Sequence, residues 1–246
     1  KRNGLDSYYS KFELEKINNI SAAIRALNIK GLNVTIPYKK KIIKYLDKLD
    51  KTAAMLQSVN TIHNKKGKLE GYNTDVQGFL FGLRKIRKIN KKKSAIVLGA
   101  GGAAESVVYS LRLIGMKEIY IMNRTKNKAQ KMAKKYRGVE AKNWIDYNLI
   151  NKAGLIVNTT SLGMIGYPSL PLSLEYASKN TKVYDIVYNP IETDLIKEAK
   201  QKKLEYVTGL EMFFGQAQES FNIWFNIKPK VSSYLVSKIK ENIKTL

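Results

Sequence analysis

Residues 94–125 read SAIVLGAGGAAESVVYSLRLIGMKEIYIMNRT, and this stretch restricts what the chain can fold into more than any other. The apolar run at 95–98 suits a strand buried on both faces of a parallel sheet. The turn that follows, Gly99, Ala100, Gly101, Gly102, Ala103, Ala104, fits the pattern G-x-G-x-x-G/A with alanine in the third place. Gly99 permits the tight turn, Gly101 lets a pyrophosphate approach the backbone, and Ala104 lets the following helix pack close to the strand. That helix, expected over 103–113, aims its N–H groups and positive dipole end at the phosphates. Gly115 stops it, and 118–122 forms a second strand. A glycine turn alone is weak, but this one lies between a strand and a helix with a second strand behind, the setting of a bound dinucleotide.

The second strand ends in Asn123, Arg124 and Thr125, where an NAD site would usually carry Asp or Glu for the ribose 2′-hydroxyl. Arg124 and Lys128 suit a 2′-phosphate instead, because guanidinium presents a planar donor fork to phosphate oxygens. The residues therefore favour NADP over NAD; basic surface residues after a strand are the plain alternative. Thr125 also stands as a helix N-cap for 126–136.

That alternative has weight because the formal net charge is +24, with 44 Lys and Arg against 20 Asp and Glu. The lysines are scattered in doublets and triplets over most expected elements, which reads as a solvated basic surface and not as a nucleic-acid face. There is no cysteine, so disulfides, zinc–thiolate sites and thiol nucleophiles are excluded. The single histidine, His63, argues against a His-rich metal site or a Ser-His-Asp triad and is expected in a solvated hairpin turn. No metal site is expected. No apolar run approaches 18 residues, so no membrane span is expected, nor is a signal peptide visible; the chain begins at Lys1.

Residues 1–88 read as one unit. Helical spacing predicts a helix over 12–27, alternation predicts a strand over 32–36, and Pro37 suits the first turn of a helix that would contain Lys39. A lysine there sits at the unfavourable end of the dipole, which lowers its pKa and makes it a better proton acceptor. Equally, it is one of three solvated lysines. A hairpin is expected through 64–68, then a helix over 76–89 that Thr74 or Asp75 could cap. Asp75 is either that cap or a carboxylate partner to Lys39 across a cleft, and spacing does not choose. Over 89–209 the alternation of strands and helices predicts a mostly parallel sheet with right-handed crossovers. Its contacts to a cofactor should come from carboxyl-end loops: 159–161, 188–190 and Gly209. The segment 210–246 is expected to form two helices returning to the first unit, with Gln216 a polar side chain among apolar neighbours.

Taken together these stretches resemble the shikimate dehydrogenase family over nearly the whole chain. The resemblance rests on NVTIPYK at 33–39, VNT at 59–61, GYNTD at 71–75, GAGGAA at 99–104, NRT at 123–125, NTTSLGM at 158–164, YNP at 188–190 and GLEM at 209–212 with Gln216. It implies a two-domain α/β fold, an α/β substrate domain (1–88) and a Rossmann-type NADP domain (89–209), with a cleft between them. It also implies reversible NADPH-dependent reduction of 3-dehydroshikimate to shikimate in the pathway to aromatic amino acids. In that reading Lys39 is the general acid/base, and Asp75 holds the reacting hydroxyl and tunes Lys39. Thr35, Asn60, Tyr188 and Gln216 contact the polar ring substituents or carboxylate, and Ile186, Gly209 and Met212 border the nicotinamide. The turn Gly99, Ala100, Gly101, Gly102, Ala103, with Asn123, Arg124, Thr125 and Lys128, holds the dinucleotide. The implied partners are a small-molecule substrate, with no nucleic acid and no membrane, for a cytoplasmic monomer or homodimer.

Two departures stand out. Family members open with a strand and an S-x-S-P loop that grips the substrate carboxylate, which the resemblance places ahead of Lys1. Gln57 and Ser58 stand where members often carry Gly-Ala. Other readings are a quinate-accepting or NAD-using relative, glutamyl-tRNA reductase, which lacks its cysteine nucleophile here, and a catalytically silent NADP- or nucleic-acid-binding module.

Overall fold

A computed structural model describes residues 4–244. The chain divides into two compact units, one of residues 1–74 with 218–230, the other of residues 75–217 with 231–246.

In the first unit α1 (Ile20–Ala26) leads to β1 (Gly31–Asn33), a 3₁₀ turn (Lys41–Tyr45), β2 (Lys48–Leu49), α2 (Lys51–Leu56), β3 (Thr61–Lys65) and β4 (Lys68–Tyr72). The sheet order is β1-β3-β4-β2, antiparallel across β1, β3 and β4 and parallel between β4 and β2. Ile17, Ile24, Ile42, Ala53, Val59, Ile62 and Leu69 form its apolar centre. The expected helix over 12–27 is confined to its C-terminal half. Asn19 is left-handed (φ 61°) immediately before Ile20, and the carbonyls of Leu14 and Glu15 both accept from the Tyr38 hydroxyl. Phe12 and Leu14 stay exposed, so a helix through them would have no apolar face to bury.

The strand expected over 32–36 ends at Asn33, and Lys39 does not enter an α-helix. The Ile36–Pro37 peptide is cis, residues 36–40 form a turn, and the Lys39 carbonyl accepts the Val59 N–H (2.8 Å) instead of a helical partner. The dipole argument for Lys39 falls with that helix. His63 is likewise not in the hairpin turn. It lies half-buried within β3, paired with Gly31 and Glu70, and burial lowers its pKa. The turn itself is Lys66 and Gly67, both with positive φ, which matches the twist of the paired strands. Gln57, where glycine is frequent in the resembled family, is also left-handed (φ 48°).

The second unit contains α3 (Asp75–Leu83), β5 (Ala95–Leu98), α4 (Gly102–Leu113), β6 (Ile119–Met122), α5 (Lys126–Ala133), β7 (Val139–Lys142), α6 (Tyr147–Lys152) and β8 (Leu155–Asn158). It continues with β9 (Lys182–Asp185), α7 (Asp194–Gln201), β10 (Tyr206–Val207), the first half of α8 (Gly209–Phe225) and α9 (Ser233–Lys244). All six strands are parallel in the order β7-β6-β5-β8-β9-β10, the 3-2-1-4-5-6 arrangement of a dinucleotide-binding sheet. Both faces are covered. Val97, Ile121, Val157 and Tyr184 pack with side chains of α3, α4 and α5, while Ile96, Leu98, Ile156 and Val183 pack with α6, α7 and Trp144.

The contacts draw the first boundary at residue 74, not 88. Phe79 of α3 stacks on Tyr184 (4.8 Å between ring centroids) and Leu83 joins the same apolar cluster, so α3 belongs with the parallel sheet. The segment after 209 is divided. Residues 218–230 join the first unit, where the Trp224 indole N–H donates to the Ile62 carbonyl (2.8 Å), and 231–246 join the second. Helix α3 ends at Leu83, short of the expected 89, as Lys85 and Ile86 turn back on Gly82 and Leu83 in three-residue bonds. The helix expected near Ile145 begins after it. Ile145 is left-handed (φ 56°), and Asp146 caps α6.

Candidate active site

In the first unit Thr35 and Lys39 come from one loop and Asn60 from the segment beside it. The Val34 N–H donates to the Asn60 carbonyl (2.8 Å), and the Lys39 carbonyl takes the neighbouring Val59 N–H, so the loop 34–39 is pinned at both ends beside Asn60. Thr35 is exposed, Lys39 half-buried and Asn60 buried. The Asn60 amide is held hard: its Oδ1 accepts the Thr74 N–H (2.7 Å) and its Nδ2 donates to Thr74 Oγ1 (3.0 Å). Beneath it the Ser220 hydroxyl meets Thr61 Oγ1 (2.8 Å), Thr74 Oγ1 (3.3 Å) and Asn33 Nδ2 (3.0 Å). Asn33 and Thr61 lie in the motifs at 33–39 and 59–61, but their link through Ser220 was not legible in the sequence, because these bonds span up to 187 positions.

In the second unit the predicted cofactor residues gather at the carboxyl end of the sheet. Strands β5, β6 and β8 run in register, with Leu98 opposite Met122 and Asn158, so the glycine turn and the loops after β6 and β8 leave side by side. Gly99 has φ +105°, and a Cβ there would lie 2.8 Å from Thr159 Oγ1. A Cβ on Gly101 would meet nothing within 4 Å, so the turn faces open space there and the chain's own packing does not require that glycine. Gly102 and Ala103 open α4, a 12-residue helix, and Ala104 is buried. Arg124, Thr125 and Lys128 are exposed, and Asn123 Nδ2 shapes their loop by donating to the Thr125 carbonyl (2.8 Å). Thr125 occupies the N-cap of α5 but makes no side-chain capping bond, a correction to its expected role. An open glycine turn at a helix N-terminus, beside an exposed arginine, fits a dinucleotide carrying a 2′-phosphate.

The remaining predicted residues surround the start of α8. The Gly209 N–H donates to the Val187 carbonyl (3.2 Å), and a Cβ on Gly209 would lie 2.1 Å from the Ile186 carbonyl oxygen, so only glycine admits this approach. Met212 is buried; Tyr188, 42% exposed, lies against Phe213 (5.2 Å between centroids). Helix α3 crosses α8 at Gly78, beside Met212 and Gln216, and buried Asp75 lies one turn before Gly78 on the same helix face. Below this group sits Asp185. It is fully buried and accepts from Asn158 Nδ2 (3.0 Å), the Val187 N–H (3.0 Å) and Thr193 Oγ1 (2.6 Å). Burial pushes its carboxyl up to about 6 against the opposing pull of those three donors. In the sequence Asp185 is merely part of an apolar strand, and no local signal marks it.

Among the described residues no group of three His, Cys, Asp or Glu side chains could hold a metal ion, and no helix is long and apolar enough to cross a membrane.

Known proteins match this chain throughout. Residues 1–62 match the shikimate dehydrogenase substrate binding domain, 83–164 the shikimate/quinate 5-dehydrogenase family, and 209–233 the shikimate 5′-dehydrogenase C-terminal domain. The shikimate dehydrogenase (NADP(+)) of Pelagibacter ubique is 37% identical over 96% of this chain and 89% of its own length. The structure of Thermus thermophilus shikimate 5-dehydrogenase in complex with NADP(H) and shikimate superposes with a TM-score of 0.81 at 32% identity, covering 95% of this chain and 85% of that one. Corynebacterium glutamicum quinate dehydrogenase in complex with NAD gives 0.82 at 28% identity, covering 97% and 86%. With matched segments in both compact units and more than a third of its residues shared with a relative of nearly equal extent, the chain belongs to the shikimate dehydrogenase family.

Proposed function

We infer that this chain is an NADP-dependent shikimate dehydrogenase that reversibly reduces 3-dehydroshikimate to shikimate in aromatic amino acid biosynthesis. The observation that carries the reading is the glycine turn with Arg124 beside it, in a chain that also carries NVTIPYK and GYNTD in full. When bound, NADPH supplies the hydride. Lys39 gives a proton to the ketone oxygen in the reductive direction and takes it back from the hydroxyl in the oxidative one. Asp75 accepts from the reacting hydroxyl and holds it in line with that transfer. Thr35, Asn60, Tyr188 and Gln216 bind the ring hydroxyls and the carboxylate. The doubly bonded Asn60 amide supports this, since a side chain already fixed loses little freedom on binding. Ile186, Gly209 and Met212 border the nicotinamide, and Gly99, Ala100, Gly101, Gly102 and Ala103 receive the pyrophosphate. Arg124 and Lys128 take the 2′-phosphate beside Asn123 and Thr125. A cytoplasmic monomer or homodimer goes with this reading.

The test is absorbance at 340 nm with shikimate against quinate and NADP against NAD. Turnover should be fastest with shikimate and NADP. A preference for quinate with NAD would assign the chain to the quinate-oxidising branch of the family. No NADP reduction with either acid, together with salt-dependent binding of RNA or DNA, would overturn the enzymatic reading.

A further inference from the structure

The Asp185 carboxylate lies where three segments meet, and each of its bonds reaches a different one. Its Oδ1 takes Asn158 Nδ2 from the end of β8 and the N–H of Val187 two residues on. Its Oδ2 takes the hydroxyl of Thr193, the N-cap of α7. The linkage continues outward. Asn158 Oδ1 accepts the N–H (3.0 Å) and hydroxyl (2.7 Å) of Thr160, and Asn158 Nδ2 donates to the Leu162 carbonyl (3.2 Å). The Asn158 carbonyl accepts the Ile186 N–H (3.1 Å), and the Val187 carbonyl accepts that of Gly209. No basic side chain among the described residues pairs with Asp185. A carboxylate buried without a counter-charge carries a large desolvation cost, so its stabilisation comes from the three donors, all aimed at it. Its donors are an amide, a backbone N–H and a hydroxyl, so this carboxyl organises backbone.

We propose that Asp185 is a positioning residue for hydride transfer: by accepting from Asn158, Val187 and Thr193 it fixes residues 186–188, and so the placement of Ile186 and Tyr188, at the reacting end of the site. This rests on the dehydrogenase reading for its consequence in turnover, but not for the fixing of the loop. No hydrogen bond of Asp185 reaches the glycine turn or the loop of Arg124, so its loss should fall mainly on kcat, where a displacement of about 1 Å can cost about 100-fold, and less on dinucleotide affinity.

The test compares Asp185→Ala and Asp185→Asn in the intact protein. Asparagine keeps the oxygen that receives Asn158 and Val187 and offers an N–H₂ to Thr193 Oγ1, so it should rescue. Amide hydrogen exchange at Val187, measured without ligand, should accelerate about 10- to 100-fold in Asp185→Ala, the loss expected for a charge-assisted bond, and stay within about 3-fold in Asp185→Asn. kcat should fall about 10- to 100-fold in the alanine variant, with NADP Kd within about 3-fold, and recover to within about 3-fold in the asparagine variant. If Asp185→Ala does not fold, Thr193→Val removes the Oδ2 bond together with the cap that Thr193 Oγ1 gives the Ile196 N–H, keeps the Asn158 and Val187 bonds, and should give a smaller rise in Val187 exchange, about 3-fold, with kcat about 3- to 10-fold down. Wild-type exchange and kcat in the folded variant would overturn the proposal, as would a loss confined to melting temperature and NADP Kd. Wild-type protein that leaves shikimate unoxidised would refute the dehydrogenase reading, and the exchange measurement would still decide whether Asp185 holds the loop.

Discussion

Replacing Gly78 by alanine sets two physical effects against each other, and the structure decides the sign. Gly78 lies inside α3, where alanine alone would gain about 1 kcal/mol over glycine through helix propensity. It also lies where α3 crosses α8. The added Cβ would stand 2.6 Å from the Met212 carbonyl oxygen, 2.9 Å from Gln216 Cβ and 3.0 Å from the Gln216 nitrogen. Ordinary contact begins near 3.4 Å, so the overlap is about 0.8 Å, and two of the three atoms are backbone that no rotamer change can move. Overpacking of this kind costs about 1–3 kcal/mol, which exceeds the propensity gain over most of that range, and a rigid backbone obstacle places the site at the upper end. The net expectation is a destabilisation of about 1–2 kcal/mol, or about 2–8 °C in Tm for a chain of this size. Because Asp75 lies one turn ahead and Gln216 at the crossing itself, kcat/KM for shikimate should fall as well. Thermal melts and steady-state rates on the same preparation test both. A Tm raised by 2–4 °C with unchanged kinetics is what propensity alone demands, and it would refute the packing argument.

Three further outcomes follow from the site. Lys39→Ala should lower kcat by about 10²- to 10⁴-fold, the span of general acid–base catalysis, with NADP Kd near wild type; wild-type turnover would remove Lys39 from the mechanism. Arg124→Ala should weaken NADP about 10- to 100-fold, as loss of a charged hydrogen-bond donor does, and leave NAD almost unchanged; equal losses for both nucleotides would refute the 2′-phosphate assignment. The Asp185 carboxyl, raised to about 6 in the folded state from 3.8, binds its proton more tightly folded than unfolded. Stability from this group is therefore greatest below about pH 4, declines as pH rises to about 6 and is flat beyond, a total of about 3 kcal/mol. Chemical denaturation of wild type and Asp185→Asn at about pH 4.5 and about pH 7 reads it: the unfolding free energy of the variant minus that of wild type should rise with pH, and a difference that falls instead would contradict the sign.

The parallel sheet was legible because its signals are local. Strands β5, β6 and β8 are short, largely apolar runs, and glycine stands at each point where the first turn needs it, so these elements and the ligand class follow from neighbours in sequence. The first unit was less so. The spacing of Leu14, Ile17, Ile20 and Ile24 is helical, but the Tyr38 hydroxyl binds the carbonyls of Leu14 and Glu15, and Asn19 turns left-handed. Lys39 behaves alike: Pro37 suits a helix start, and the bond that rules it out comes from Val59, 20 positions away. Asp185 is the sharper case. Its bonds to Asn158 and Thr193 cross 27 and 8 positions, so nothing nearby distinguishes it from a strand residue pointing at solvent.

The chain has two tryptophans, and they fall in different units. Trp224 is tethered to Ile62 in the first, whereas Trp144 packs on the apolar cluster of the second. Each unit therefore carries its own built-in fluorophore. Substituting either indole with phenylalanine leaves a single emitter, whose spectrum follows one half of the molecule through denaturant while the other half goes unseen. Midpoints that coincide would mean the halves melt as one cooperative block; midpoints that separate would rank them.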